Sequence, residues 1–286
     1  MLDQSFSFKT FQEIFDQENR KGVNIEKKYS VDFEDSLDKL KELKHVNEKI
    51  KSEKDHDKLK LLLEEKKEIK SARDELIKNT LEKISNKLNN HDVKLKLGNN
   101  YGSQSYMIED NPKNYFVSKK LQDNIRESYK VKQSSRHSIL SQVINLIEDD
   151  FPKVVIRADI KGFYESIPQK KLLKKLDTDY LLSIMSKKFI HNIFSQYNIL
   201  SNQLNVQEPK GVPRGVGISA YLSELFMRNI DNKIKELDEL VYYGRYVDDI
   251  IAIFIPSRKT DNKISDYKDS ISNIIEEHDL ELNTTK

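Results

Sequence analysis

What this 286-residue chain lacks narrows it first. It has no cysteine, only 8 glycines and 6 prolines, and no apolar run long enough to cross a bilayer. Without cysteine there is no disulfide and no thiolate metal site, which suits a reducing cytoplasm, the expected location. A membrane span needs about eighteen consecutive apolar residues, so no membrane partner is expected. The opening stretch MLDQSFSFKTFQEIFDQENRKG has no apolar core of a signal peptide. The P-loop, H-E-x-x-H and G-x-S-x-G patterns are missing, and the six histidines stand in polar surroundings without ligand spacing. An excess of one charge is missing too: 34% of residues are charged, yet the net charge is +2. Any nucleic-acid surface is therefore local.

What is present begins with helices. Phe6, Phe8, Phe11 and Phe15 mark apolar anchors of a short helix near the start. From about Ser36 to Leu97 the composition is Lys, Glu, Leu, Asn and Asp, with neither glycine nor proline before Gly98. Leu37, Leu40, Leu43, Val46 and Ile50 recur at helical spacing, as do Leu76, Ile77, Leu81, Ile84 and Leu88. The polar KSEKDHDK lies between the two sets. The pattern predicts two long helices in an antiparallel hairpin over about 36–97, with a narrow apolar seam and solvated charged faces. This hairpin is also the candidate surface for a homo-oligomer.

LGNNYGSQ (97–104) reads as a loop. The segment 111–137 then carries seven Lys and Arg against two acids, interleaved with Tyr115, Phe116 and Tyr129. It is the densest basic segment and the local candidate for phosphate contacts, with a ligand-free basic helix as the plain alternative. Ser138 to Asp149 reads as an amphipathic helix ended by Phe151-Pro152.

The stretch VYYGRYVDDIIAIFI (241–255) sets two strand-like runs around adjacent aspartates, Asp248 and Asp249. A two-residue hairpin turn favours Asn-Gly or Asp-Gly, and there is no glycine here. Adjacent carboxylates repel and raise each other's pKa unless a cation neutralises them, and Mg²⁺ is a suitable hard cation. A solvated acidic turn explains the pair as well, so chemistry needs a third carboxylate. Asp159, near the end of a strand running from Val154 to Ile160, supplies a candidate. Three carboxylates on neighbouring strands can hold two Mg²⁺ ions and support in-line phosphoryl transfer. Between these elements Gly211, Pro213, Gly215 and Gly217 form a loop leading into a helix over Ile218–Ile230, with Ser219 as the expected N-cap.

In order, DIKGFYESI (159–167), GVPRGVGISAYLSE (211–224), YVDD (246–249) and LELNTTK (280–286) resemble the palm of reverse transcriptases. The resemblance covers roughly residues 111–286. It implies an α+β right-hand polymerase: an antiparallel palm sheet with flanking helices over 151–286, and a helical N-terminal fingers region over 1–150. Asp159, Asp248 and Asp249 match the metal-binding triad, and the Ile160 carbonyl matches a backbone ligand. Tyr164 matches the bulky residue that crowds a ribose 2′-OH. Gly211, Pro213, Arg214, Gly215 and Ser219 match the loop that cradles the incoming nucleotide. Lys286 matches a lysine near the triphosphate. Arg126, Lys130, Lys132 and Arg136 are the basic candidates for triphosphate or template. The implied partners are dNTP and an RNA or DNA template-primer, with two Mg²⁺ ions and Mn²⁺ as a substitute.

The chain departs from the common pattern at Arg214, where many relatives carry glutamine, and at Glu224. With RYVDDI, PRG and ENRKG (18–22), these residues look most like the bacterial abortive-infection, or unknown-group, reverse transcriptases of phage defence. That group leaves both templated and template-independent DNA synthesis open. The alternatives are a retron or group II intron type of enzyme, or a palm that holds nucleic acid without turnover. The expected domain plan has no thumb after Lys286, so a partner or a further C-terminal region would complete the cleft.

Overall fold

The computed structural model describes residues 2–88, 91–100, 102–148, 150–204, 211–257 and 263–283. The chain forms two compact units, residues 1–94 with 108–120, and residues 95–107 with 121–286.

The first unit holds α1 (Phe8–Arg20), α2 (Ile25–Lys28), α3 (Glu34–Ser52) and α4 (His56–Asn86). A three-residue connection, Glu53–Asp55, turns α4 back along α3, within the polar break read from the sequence. The Asp55 carboxylate caps α4 by accepting from the Asp57 and Lys58 amides at 2.9 and 3.2 Å. Val46, Ile77, Leu81 and Ile84 are the buried seam. Phe11 stacks on Phe116 and Phe15 on Phe33, and Phe6 is buried too, so these three serve the core whereas Phe8 is only partly buried. Buried Glu18 accepts from Lys119, Lys21 and Tyr115 at 2.8, 2.8 and 2.9 Å. Burial raises its pKa, but these three donors outweigh that and pull it down to about 2. The helical expectation over 36–97 runs too far. After Asn86 the pattern Val93, Leu95, Leu97 has period two, and Leu95–Asn100 is a strand, β1.

The second unit contains β1, which pairs with β2 (Gln104–Ile108). The helix α5 (Pro112–Tyr129) contributes its second part to this unit. Then come α6 (Arg136–Ile147), β3 (Val154–Asp159), α7 (Phe163–Ser166), α8 (Gln169–Thr178) and α9 (Ile184–Gln203). The last elements are α10 (Gly217–Lys235), β4 (Leu240–Tyr246), β5 (Asp249–Phe254) and α11 (Lys263–Glu276). The fold is α+β, with an antiparallel sheet in the order β3-β5-β4 and flanking helices.

The alternation of side chains gives this sheet two unlike faces. Ile156, Ile250, Ala252 and Phe254 are buried on the face covered by α10 and α11, where Phe254 stacks on Tyr267 at 4.1 Å. Val155, Arg157, Asp159, Asp249 and Ile251 share the other face, as the register requires. Segment 281–283 runs beside β3: Lys161 N–H donates to the Glu281 carbonyl and Asn283 N–H to that of Asp159. The expected strand 154–160 is thus Val154–Asp159, with Ile160 bridging to Leu282 instead.

Candidate active site

Asp159 and Asp249 are direct register partners on neighbouring strands. The next pair along, Ile160 and Asp248, is hydrogen bonded, with Ile160 N–H donating to the Asp248 carbonyl at 3.1 Å. Antiparallel ladders alternate, so Asp159 and Asp249 occupy a rung without hydrogen bonds, where side chains come closest. Asp159 is 9% exposed. Arg157, diagonally across, meets Asp249 at 3.2 Å. Asp248 sits in the turn itself.

The turn differs from the expected one. Its two central residues are Val247 and Asp248, while Asp249 already pairs with Tyr246 as the first residue of β5. The strain falls on Val247, at φ 58°. A β-branched residue with positive φ is an outlier that persists only where its surroundings hold it.

The Arg245 guanidinium is that surrounding. It is 5% exposed and lies on the helix-covered face. Its Nε and Nη2 donate to the two Asp231 carboxylate oxygens, each at 2.8 Å. Nη2 and Nη1 donate to Glu224 at 2.7 and 3.2 Å, and Nη1 donates to the Val247 carbonyl at 2.8 Å. Desolvation pushes the Arg245 pKa down, but Asp231 and Glu224 outweigh it and hold it above its ordinary value. Tyr243 donates to Asp231 at 2.7 Å, and burial pushes its phenol up.

Asn283 adds a further tie to Asp159, its amide donating to Oδ2 at 3.3 Å. Neither Arg245 nor Asn283 was singled out from the sequence. The signal for Arg245 was present: strand alternation puts it on the apolar face, so it is a buried charge that needs partners.

The glycine loop is fastened to the turn after β3. Val212 N–H donates to the Tyr164 carbonyl at 2.8 Å, and Gly211 N–H to that of Ile167 at 3.0 Å. Gly211 has φ +86°, and a Cβ there would lie 2.2 Å from the Tyr164 carbonyl oxygen, so only glycine fits. Arg214 reaches Ser103 and, at 3.5 Å, Glu165. Pro213 is the acceptor for the buried Ser219 hydroxyl at 2.7 Å. Ser219 is therefore not an N-cap: α10 begins at Gly217 with Val216 before it, and the serine latches the loop from inside. Tyr164 is half-buried, and burial raises its phenol pKa. Glu224 and Asp248 add to the rise and Arg214 opposes it.

The four basic candidates separate. Arg126 is paired with Asp123 at 2.9 Å and Glu127 at 3.0 Å, and Lys130 with Glu127 at 3.1 Å. Lys130 and Lys132 line a cavity of about 520 Å³ beside the β4 edge, together with Arg228 and Lys235. Arg136 lines a smaller one, about 230 Å³, with Arg157, Tyr246 and Asp249. Arg136 thus shares a cavity with Asp249. Lys286 lies outside the described residues.

By donor type, Asp159, Asp248 and Asp249 suit a hard divalent cation. Among the described residues, however, no group of three or more His, Cys, Asp or Glu is arranged to hold a metal ion. The structure brings two carboxylates onto one rung and puts the third in the adjoining turn.

An antiparallel sheet with paired acids at the mouth of a hairpin, beside a glycine loop, is an arrangement suited by donor type to a divalent cation and a phosphate-bearing ligand. Residues 113–286 match the reverse transcriptase (RNA-dependent DNA polymerase) family, and the chain belongs to it. No curated protein matches. Among solved structures, apo telomerase from Candida tropicalis, truncated from its C-terminal domain, is 18% identical with a TM-score of 0.42. The match covers 69% of this chain and 49% of that one, so the chain spans about half the length of that structure.

Proposed function

We propose that the chain is the catalytic part of an RNA-directed DNA polymerase that acts by two-metal nucleotidyl transfer from dNTPs. The observation that carries this reading is the Asp159–Asp249 rung with Asp248 in the next turn. The carboxylates and the Ile160 carbonyl would hold two Mg²⁺ ions, or Mn²⁺ in their place. Bound there, the cations supply charge neutralisation for the attacking and leaving oxygens. A primer 3′-oxygen forms a bond to the dNTP α-phosphorus. The bond to the bridging oxygen breaks, pyrophosphate leaves, and the 3′-OH proton passes to solvent. Tyr164 would exclude a 2′-OH, and Arg214, flanked by Gly211, Pro213, Gly215 and Ser219, would face the nucleotide. Arg136 would meet template or primer phosphate beside Asp249.

The motif spelling supports a role in phage defence of the abortive-infection kind, and the absence of cysteine suits a cytoplasmic setting. No helix among the described residues is long and apolar enough to cross a membrane. Sequencing the polymer made from dNTPs and Mg²⁺, with and without added RNA, tests the reading. A product complementary to the RNA supports RNA-directed synthesis. A product made equally without RNA supports the template-independent form, and no product in either arm contradicts both. Phage plating on cells with the wild-type protein or Asp248→Ala tests the defence role, which is lost if the two plate alike.

A further inference from the structure

The acidic turn is held from behind by a residue on the opposite face of the sheet. Tyr246 and Asp249 lie on the face bordered by α6, whereas Arg245, one residue earlier, projects toward α10. Its guanidinium reaches three groups at once, in two parts of the unit. Asp231 and Glu224 both belong to α10, seven residues and so about two turns apart, on one side of that helix. The Val247 carbonyl belongs to the turn, and it is the carbonyl of the residue with φ 58°. The helix α10 in turn grows out of the glycine loop that is bonded to Tyr164. One side chain therefore joins the helix of the nucleotide loop to the backbone next to Asp248.

We propose that Arg245 is the positioning residue of the site, fixing the Val247–Asp248 turn against α10 so that Asp248 and Asp249 stay aligned with Asp159. This rests on the reading of those aspartates as the metal-holding set. Physically, the strained turn lacks the glycine that would let it keep this shape by itself. The charged donor to its carbonyl compensates, and the two α10 carboxylates hold that donor in a fixed plane. Lysine cannot replace it. An ammonium has no planar fork and cannot serve Asp231, Glu224 and the Val247 carbonyl together.

The test compares wild type, Arg245→Lys, Asp248→Ala and Arg245→Lys/Val247→Gly. Each is measured for thermal melting, for Mn²⁺ affinity by electron paramagnetic resonance without nucleotide, and for dNTP incorporation. Arg245→Lys is expected to weaken Mn²⁺ binding and lower kcat by about 10–100-fold, the usual effect of a residue that orients a ligand. KM for dNTP should change little. Val247→Gly removes the steric penalty at positive φ, so the double variant should recover part of that loss. A merely structural arginine would show no such recovery. Wild-type Mn²⁺ affinity in Arg245→Lys, alongside a loss in Asp248→Ala, overturns the positioning role while leaving the site intact. Wild-type Mn²⁺ affinity in Asp248→Ala overturns both. Equal losses with and without Val247→Gly also overturn the role. Should Arg245→Lys fail to fold, Asp231→Asn takes its place with the same measurements and the same criteria.

Discussion

Asn283 holds Asp159 twice, through its backbone N–H to the Asp159 carbonyl at 2.7 Å and its side-chain amide to Oδ2 at 3.3 Å. The pairing fixes the direction of the most buried of the three aspartates. Asn283→Ala removes that guide, and kcat for dNTP incorporation is expected to fall about 10–100-fold with KM nearly constant. Asn283→Asp sets a like charge against Asp159 and should fall further. Steady-state kinetics on the two variants checks this, and equal activity of both with wild type would rule the guide out.

Tyr164 stands half-buried beside the field of Asp248 and Glu224. If its ring excludes a 2′-OH, Tyr164→Ala should reduce the preference for dNTP over rNTP by about 10–200-fold, the range for removing a steric contact of this size. Competitive incorporation of labelled dCTP and CTP measures the ratio. An unchanged ratio would leave Tyr164 as a packing residue only.

Gly211 is the point where the nucleotide loop meets the Tyr164 backbone. Alanine would bring a Cβ to 2.2 Å from the Tyr164 carbonyl at a φ of +86°. Gly211→Ala is expected to lose about 1–3 kcal/mol, a fall in melting temperature of roughly 2–12 °C. It should also weaken discrimination against rNTP, because the displaced carbonyl belongs to Tyr164. A melt and discrimination equal to wild type would contradict the close packing.

Glu18 gives a pH-dependent stability. Its folded pKa, about 2, lies below the ordinary 4.5. The stabilisation is therefore full above about pH 4.5 and is lost as pH falls from there toward 2. Glu18→Gln should lose on the order of 3 kcal/mol at pH 7. Urea melts at pH 7 and pH 2.5 should show the gap between variant and wild type closing at the lower pH. A gap independent of pH would mean that the carboxylate charge contributes little.

Much of this was legible before the structure. Strand propensity on either side of Asp248 and Asp249 located β4 and β5. Helical spacing located α3 and α4, and the polar stretch 51–58 contains the connection between them. The resemblance grouped Asp159 with Asp248 and Asp249, and the register pairs Asp159 with Asp249 while Asp248 lies in the adjoining turn. Three features were not legible. The position of the strain depends on the pairing register, which moved the turn from Asp248-Asp249 to Val247-Asp248. The role of Ser219 depends on which way its side chain points, and Pro213 claims it. The scatter of Arg126, Lys130, Lys132 and Arg136 depends on local acids and helix phase, which charge counting along the chain does not register.

The central claim is that Asp159, Asp248 and Asp249 act together in nucleotidyl transfer. Mg²⁺-dependent incorporation of labelled dNTP, measured for wild type, Asp159→Ala and Asp248→Ala of matched melting temperature, tests it most directly. The account predicts incorporation by wild type and at least a 10³-fold loss in each variant, equivalent to about 4 kcal/mol of transition-state stabilisation. Undiminished incorporation by either variant, or incorporation that persists when the divalent cation is chelated, would contradict it.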